Sequence, residues 1–385
     1  MKPLNINDLL ISPPLSLNIL NEQEFDISCI FHIIDIMLLK DSFNRTIDYL
    51  RISVTDRCNL RCIYCMPAGG AEKILHKEIL RYEEIARVAA SAARLGIKRI
   101  RLTGGEPLIR RNIAYLIRLL KAIPGIEEIS MTTNGLILEK CASELKKAGL
   151  SRVNVSLDSL NPSRYREITR GGDLNQALRA IEAAYDAGLR PVKINMVHIR
   201  GLNDDEAEGF AEMAVKTPYH IRFIEFMPVR EYWGPERFIP SYELKSRIEK
   251  KFALHPVKTE GGGPASYFRP EAGAGLIGFI SALTEHFCLS CNRLRLTADG
   301  RLRPCLFLDA EVELTPALRG GAERGGAERG GAERGGAERG GAGDEEIERL
   351  ILKAVHSKPR GHNVGIPGTE TNISGGIPPM SRIGG

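Results

Sequence analysis

The 385-residue chain predicts an α/β fold, an incomplete (β/α)6 TIM-like barrel with a small C-terminal cap domain bearing cysteines. Three observations carry that reading. Short strand-like runs alternate six times with amphipathic stretches between residues 50 and 252. Glycines close several of the helical stretches. Polar residues gather just after the strands, where parallel α/β sheets keep their active sites. Lys plus Arg exceeds Asp plus Glu by only 53 to 48, too small an excess for a nucleic-acid wrapper, though it permits a small anionic substrate.

The elements follow in order. Leu50 to Val54 reads as the first strand, Tyr82 to Leu95 as a helix closed by Gly96, and Arg99 to Leu102 as the second strand. Helix Asn112 to Ala122, strand Glu128 to Thr132, helix Leu138 to Ala148 closed by Gly149 and strand Arg152 to Leu157 continue the pattern. Next comes a helix from Pro162 with Asn161 as its N-cap, then a second helix through Asp186 closed by Gly188. Strand Pro191 to Val197, helix Asp204 to Lys216, strand Ile221 to Phe226 and helix Tyr242 to Phe252 complete the six alternations.

Around this barrel, predicted over residues 45–260, the composition changes. Residues 1–44 form an N-terminal extension with few positional signals. Its apolar run Ile27 to Leu39 holds about 13 residues against the ~20 a spanning helix needs, so no membrane association is expected. The acidic residues ahead of that run argue against a secretory signal, and a cytoplasmic location is expected. Residues 261–318 read as the cap. Residues 319–343 carry four copies of Gly-Gly-Ala-Glu-Arg, too short and too small in side chain to form a core, and read as a flexible linker. Residues 344–385 read as a helix, through 358, and a Pro/Gly-rich tail ending in Gly384-Gly385.

Six of the eight cysteines fall into two triplets, Cys58, Cys62, Cys65 and Cys288, Cys291, Cys305. Cys29 and Cys141 are left over and read as small buried hydrophobes. Each triplet is one thiolate short of the four that close a structural zinc or an iron–sulfur cluster. Three thiolates on a [4Fe–4S] cluster leave one iron open to a ligand. For the second triplet, a structural zinc closed by His286 is the alternative.

Cys58-x3-Cys62-x2-Cys65, with Tyr64 before the last cysteine and Gly104-Gly105-Glu106-Pro107 after the second strand, resembles the signature of radical S-adenosylmethionine (SAM) enzymes. Cys288-x2-Cys291-x13-Cys305 with the terminal Gly-Gly resembles, more narrowly, the molybdenum-cofactor biosynthesis protein A family of GTP 3′,8-cyclases. The Arg51 to Cys58 run, Ile221 to Met227, and Cys291-Asn292-Arg293-Leu294-Arg295 share that resemblance. It implies a lyase of molybdopterin biosynthesis that converts GTP to (8S)-3′,8-cyclo-7,8-dihydroguanosine 5′-triphosphate. The C-terminal cap would then be an iron–sulfur domain, and the cofactors two [4Fe–4S] clusters and SAM.

Carried onto this chain, the resemblance implies that Cys58, Cys62 and Cys65 hold the SAM cluster while Tyr64, Gly105, Ser156 and Met227 contact SAM. Cys288, Cys291 and Cys305 would hold the second cluster. Arg51, Arg101, Thr132, Lys193, Arg293 and Arg295 would bind GTP, with Arg293, Arg295, Gly384 and Gly385 taking catalytic roles. The implied partners are a low-potential electron donor and, by hand-off of product, a cyclic pyranopterin monophosphate synthase; a homodimer is compatible. Charge agrees independently: a triphosphate needs several cations, and the arginine fork meets phosphate oxygens in pairs. For Lys193, a salt bridge to Glu225 or Asp158 is the alternative partner. The competing readings are another radical SAM enzyme with an auxiliary cluster, such as a peptide maturase, and a non-catalytic metal-binding module.

Overall fold

A computed structural model describes residues 38–228, 232–259, 263–320, 341–362 and 364. Cys29, most of the N-terminal extension, the repeats over 321–340 and the terminal Gly384-Gly385 lie outside the described residues.

The six predicted strands are β1 (Tyr49–Ser53), β2 (Arg99–Thr103), β3 (Glu128–Thr133), β4 (Arg152–Ser156), β5 (Lys193–His198) and β6 (His220–Glu225). Between and after them run α1 (Tyr82–Arg94), α2 (Ile113–Lys121), α3 (Ala142–Ala148), α4 (Pro162–Thr169), α5 (Leu174–Asp186), α6 (Ala207–Lys216) and α7 (Ser241–Glu249). The sequence period explains each face. In β1, Leu50 and Ile52 are fully buried in the main core, while Tyr49 and Arg51 line an interior cavity. In α1 the buried Ile85, Val88, Ala89 and Ala92 form a stripe at helical spacing. Burying each such leucine or isoleucine contributes about 1.5–3 kcal/mol. Asn161 caps α4 as expected, accepting from the amides of Ser163 and Arg164. Helices α3 and α6 start later than the periodicity predicts, because single 3₁₀ turns, Leu138–Lys140 and Asp204–Glu206, precede them.

Strands β1 to β6 pair in parallel, in sequence order. Three further strands, β7 (Leu254–Val257), β8 (Ser266–Pro270) and β9 (Leu276–Ile280), extend one edge, with β9 parallel to β6 and the other two antiparallel. At the other edge β10 (Arg293–Leu296) lies parallel to β1, followed by antiparallel β11 (Arg301–Arg303) and β12 (Val312–Glu313). The segment 261–318, expected as a cap, therefore continues the barrel sheet at both of its edges, in a sheet of 12 strands. These strands escaped the periodicity because several are short and β9 is buried throughout, which erases alternation.

The linker expected over 319–343 is helical at both described ends: α8 (Thr315–Arg319) reaches into it, and α9 (Gly341–His356) starts within it. Helix α9 buries Ile347, Ile351, Ala354 and Val355 completely. It is pinned to α1 by Arg87–Asp344 and Arg94–Glu348 ion pairs. Among the described residues no helix is long and apolar enough to cross a membrane.

Candidate active site

The loop after β1 carries Cys58, Cys62 and Cys65, all partly buried and all free thiols. It is fixed by a second loop, after β2. Gly105 and Glu106 donate backbone N–H bonds of 2.8 Å to the carbonyls of Thr55 and Arg57. A Cβ at position 104 would lie 2.6 Å from Thr55 O, and one at 105 would lie 2.1 Å from Arg57 O. Two glycines are therefore required for the loops to meet at all, a structural role beside the ligand approach read from the sequence.

Glu106 is fully buried and accepts from Leu108 N, Asn134 N and the Thr133 hydroxyl. Burial raises its pKa to about 7 despite those bonds. Asn134 in turn donates to Asn59 Oδ1 at 2.8 Å, tying the end of β3 to the cysteine loop. Tyr64 donates to Asp158 Oδ2 at 2.6 Å, and Val197 N donates to Asp158 Oδ1. Burial pushes the Cys62 thiol well above its usual pKa, with Cys65, Asp158 and Cys58 adding to the effect. Neutral thiols crowded in a dry pocket become stable as thiolates only when a metal centre offsets their charge.

The second triplet lies at the other end of the strands. Arg293 pairs with Tyr49 and Leu296 with Ile52, so Cys288 and Cys291, just before β10, sit beside the start of β1. Cys305 follows antiparallel β11, which returns to the same end. The first triplet follows the finish of β1, roughly 15 Å along the strand direction at ~3.3 Å per residue. The convergence on one mouth predicted from sequence is thus a cavity running along the strands from one end to the other. Burial works against the Cys291 thiolate, but Arg293 and Lys358 outweigh it and bring that thiol down to about 6.

Two buried cations latch the C-terminal segment onto this centre. Arg45, held by Asp41, donates to the carbonyls of Cys288 at 2.7 Å, Pro359 at 2.6 Å and Arg360 at 3.0 Å. Lys358 donates to Arg293 O and Pro304 O. Among the described residues, the one set of three potential ligand atoms within 4.8 Å of one another is His286, Cys288 and His362. Neither thiol triplet forms such a set, whereas tetrahedral Zn–S bonds of ~2.3 Å would hold sulfurs within ~4 Å.

Between the two ends runs a row of arginines. Arg295, Arg51 and Arg101 are direct neighbours on β10, β1 and β2, and Ser130 and Arg152 continue the row on β3 and β4. Like charges side by side on a sheet repel, and here they are also desolvated. Burial lowers Arg51 well below its usual pKa, with Arg295 and Arg101 adding to it. Burial likewise brings Arg101 and Arg295 to about 10. Lys193 falls to about 6, through burial and then Arg222, Arg152 and Arg101. Its Nζ lies 3.2 Å from the Tyr267 hydroxyl and carries no ion pair among the described residues. The salt bridge considered from sequence is absent because Asp158 is committed to Tyr64 and Val197, and Glu225 to Ser241, Leu283 and Thr284. So concentrated a field calls for a polyanion.

Every predicted site residue within the described chain lines one cavity of about 560 Å³: the six cysteines, Tyr64, Gly105, Ser156, Met227, Arg51, Arg101, Thr132, Lys193, Arg293 and Arg295. Sequence reasoning missed Tyr49, Arg152, Arg222, Tyr267 and Lys358, which line it too. Arg222 had a usable signal, being a cation inside the predicted strand Ile221 to Phe226. Tyr267 and Lys358 had none, being delivered by antiparallel β8 and by the chain beyond α9.

The radical SAM superfamily profile matches residues 52–214, and that of Molybdenum Cofactor Synthesis C matches residues 219–329. A GTP 3′,8-cyclase of Thermodesulfovibrio yellowstonii is 49% identical over 350 residues, covering 90% of this chain and 100% of its own. One from Pelotomaculum thermopropionicum is 48% identical over 85% of this chain and 95% of its own. Among solved structures, Streptococcus suis SuiB bound to S-adenosylmethionine aligns with a TM-score of 0.53 at 14% identity, over 73% of this chain and 65% of SuiB. That likeness concerns the fold.

Proposed function

This chain belongs to the GTP 3′,8-cyclase family of the radical SAM superfamily, and from that premise we propose how its own residues divide the conversion of GTP to (8S)-3′,8-cyclo-7,8-dihydroguanosine 5′-triphosphate. One observation carries the assignment: two thiol triplets at opposite ends of the strands share a cavity with a row of buried arginines. Cys58, Cys62 and Cys65 would hold a [4Fe–4S] cluster, and Cys288, Cys291 and Cys305 a second. When bound, the first centre would supply the electron for reductive cleavage of the SAM sulfonium that starts radical chemistry.

The remaining work falls to side chains and backbone. Tyr64, Gly105, Ser156 and Met227 line the SAM end, and the Tyr64–Asp158 bond fixes the cysteine loop. Arg51, Arg101, Thr132, Lys193, Arg293 and Arg295 bind the nucleotide, with the arginine row taking the triphosphate because its charges are buried and mutually repelling until an anion arrives. Arg293 and Arg295 stand beside the second centre, where they orient the base, and Arg293 with Lys358 favours the Cys291 thiolate. Gly384 and Gly385 complete the site in this reading. Phe287, Phe307, Lys358 and His362 wall the cavity beside the second triplet and would limit the water that reaches the reacting carbon.

The reading also includes a low-potential electron donor, a cytoplasmic location, hand-off to a cyclic pyranopterin monophosphate synthase and a homodimer. The test is anaerobic incubation of cluster-loaded protein with SAM, dithionite and GTP. A new nucleotide isomeric with GTP, separated by chromatography and appearing with deoxyadenosine, is the expected result. Intact GTP with no deoxyadenosine would instead support a metal-binding module.

A further inference from the structure

A second cavity, of about 1410 Å³, lies on the far side of the loop that carries Cys58. Thr55 and Arg57 form its wall, while Cys58, the next residue, faces the catalytic cavity. Its charge is one-sided. Six arginines and Lys77 line it against one carboxylate among the described lining residues, Glu84, which is already bonded by Arg319 and Arg81. Asp344, just outside the lining, is shared between Arg87 and Arg94. Arg110 donates its guanidinium to the neutral carbonyls of Val54 and Leu80 and forms no salt bridge among the described residues. Arg57, Lys77 and Arg111 are exposed and have no ion pair among the described residues.

Two further features favour a protein over a small anion. Leu75, beside the lining residues His76 and Lys77, is 57% exposed, an apolar anchor at a basic rim. The rim is also wired to the cluster loop, because Ile74 N donates to Asp56 Oδ2 at 2.7 Å, two residues before Cys58. From that arrangement we propose that this basic surface docks an acidic protein carrying a low-potential one-electron centre and is the port through which the first cluster is reduced. The proposal rests on the cyclase reading above. In the step, the donor centre loses one electron and the cluster gains it, no atom is transferred, and the sulfonium of SAM is the eventual acceptor. Long-range attraction between the acidic donor and the arginine-rich surface raises the rate of encounter and weakens as salt is added.

The test uses the cluster-loaded full chain and a reduced acidic flavodoxin as probe, with the Lys77→Glu/Arg111→Glu double variant. At low salt the variant is expected to bind flavodoxin about tenfold or more weakly by titration calorimetry, and the absorbance change of cluster reduction by flavodoxin is expected to slow in step. Deoxyadenosine formation driven by dithionite, which needs no docking, should stay within about twofold. The milder Lys77→Gln/Arg111→Gln pair should shift binding in the same direction by less. Unchanged flavodoxin binding in both variants would overturn the port, as would tight pyrophosphate binding lost in the variants without any change towards flavodoxin. Failure of the dithionite reaction in the wild-type chain would instead count against the cyclase reading, so the two failures are distinguishable.

Discussion

Lys193 should take up a proton when the nucleotide binds. In the free protein its ammonium is buried beside Arg222, Arg152 and Arg101 and its pKa falls to about 6. At pH 8 a lysine of that pKa is only about 1% charged, whereas next to a bound triphosphate it returns towards ~10.5 and is almost wholly charged. Binding at pH 8, where the phosphates are fully ionised, should therefore draw in roughly one proton per nucleotide, falling to about half a proton near pH 6 from this group. Titration calorimetry in buffers of different ionisation heat reads that number directly. Lys193→Met should lower the uptake at pH 8 by about one proton and weaken binding by about 10- to 100-fold, the worth of one charged hydrogen bond. The same depressed pKa has a stability consequence. Between about pH 6 and the lysine's usual value the unfolded chain binds more protons than the folded one, so this group makes stability rise with pH across that window. Lys193→Met should remove that slope and raise the melting temperature of nucleotide-free protein at pH 7. Equal proton uptake by both proteins at pH 8 would refute the reasoning.

Other perturbations separate the parts of the site. Cys58→Ala should abolish deoxyadenosine formation, while Cys305→Ala should retain some and lose the cyclised nucleotide, with iron content falling to about half the full load. Gly105→Ala places a methyl 2.1 Å from Arg57 O, and should cost about 1–3 kcal/mol on thermal unfolding while loosening the first cluster. Arg45→Ala removes three bonds to the carbonyls of Cys288, Pro359 and Arg360. It should strip iron from the second centre while leaving SAM cleavage, which a combined iron assay and deoxyadenosine assay would show; uniform iron loss would contradict the latch.

Chemistry written in short stretches was legible without coordinates. The two cysteine spacings, the Gly104-Gly105-Glu106 turn and the six strand–helix alternations each depend on neighbours within a few dozen residues, and the structure returns the strands and helices near the expected bounds. Residues brought by distant chain were less visible. Glu225 looked like a free counter-ion for Lys193, but its oxygens are taken by Ser241, Leu283 and Thr284, and no local pattern announces those partners.

The amino-acid order by itself determined which side chains are candidates for the chemistry, because residue identity and spacing are local covalent facts. Tertiary structure alone decided where they stand. The parallel pairing of β10 with β1, across some 240 residues of chain, puts the second triplet at the opposite end of the strands from the first and aligns Arg295 with Arg51 and Arg101. Strand register is a long-range choice made by the whole core, and no window of the sequence contains it.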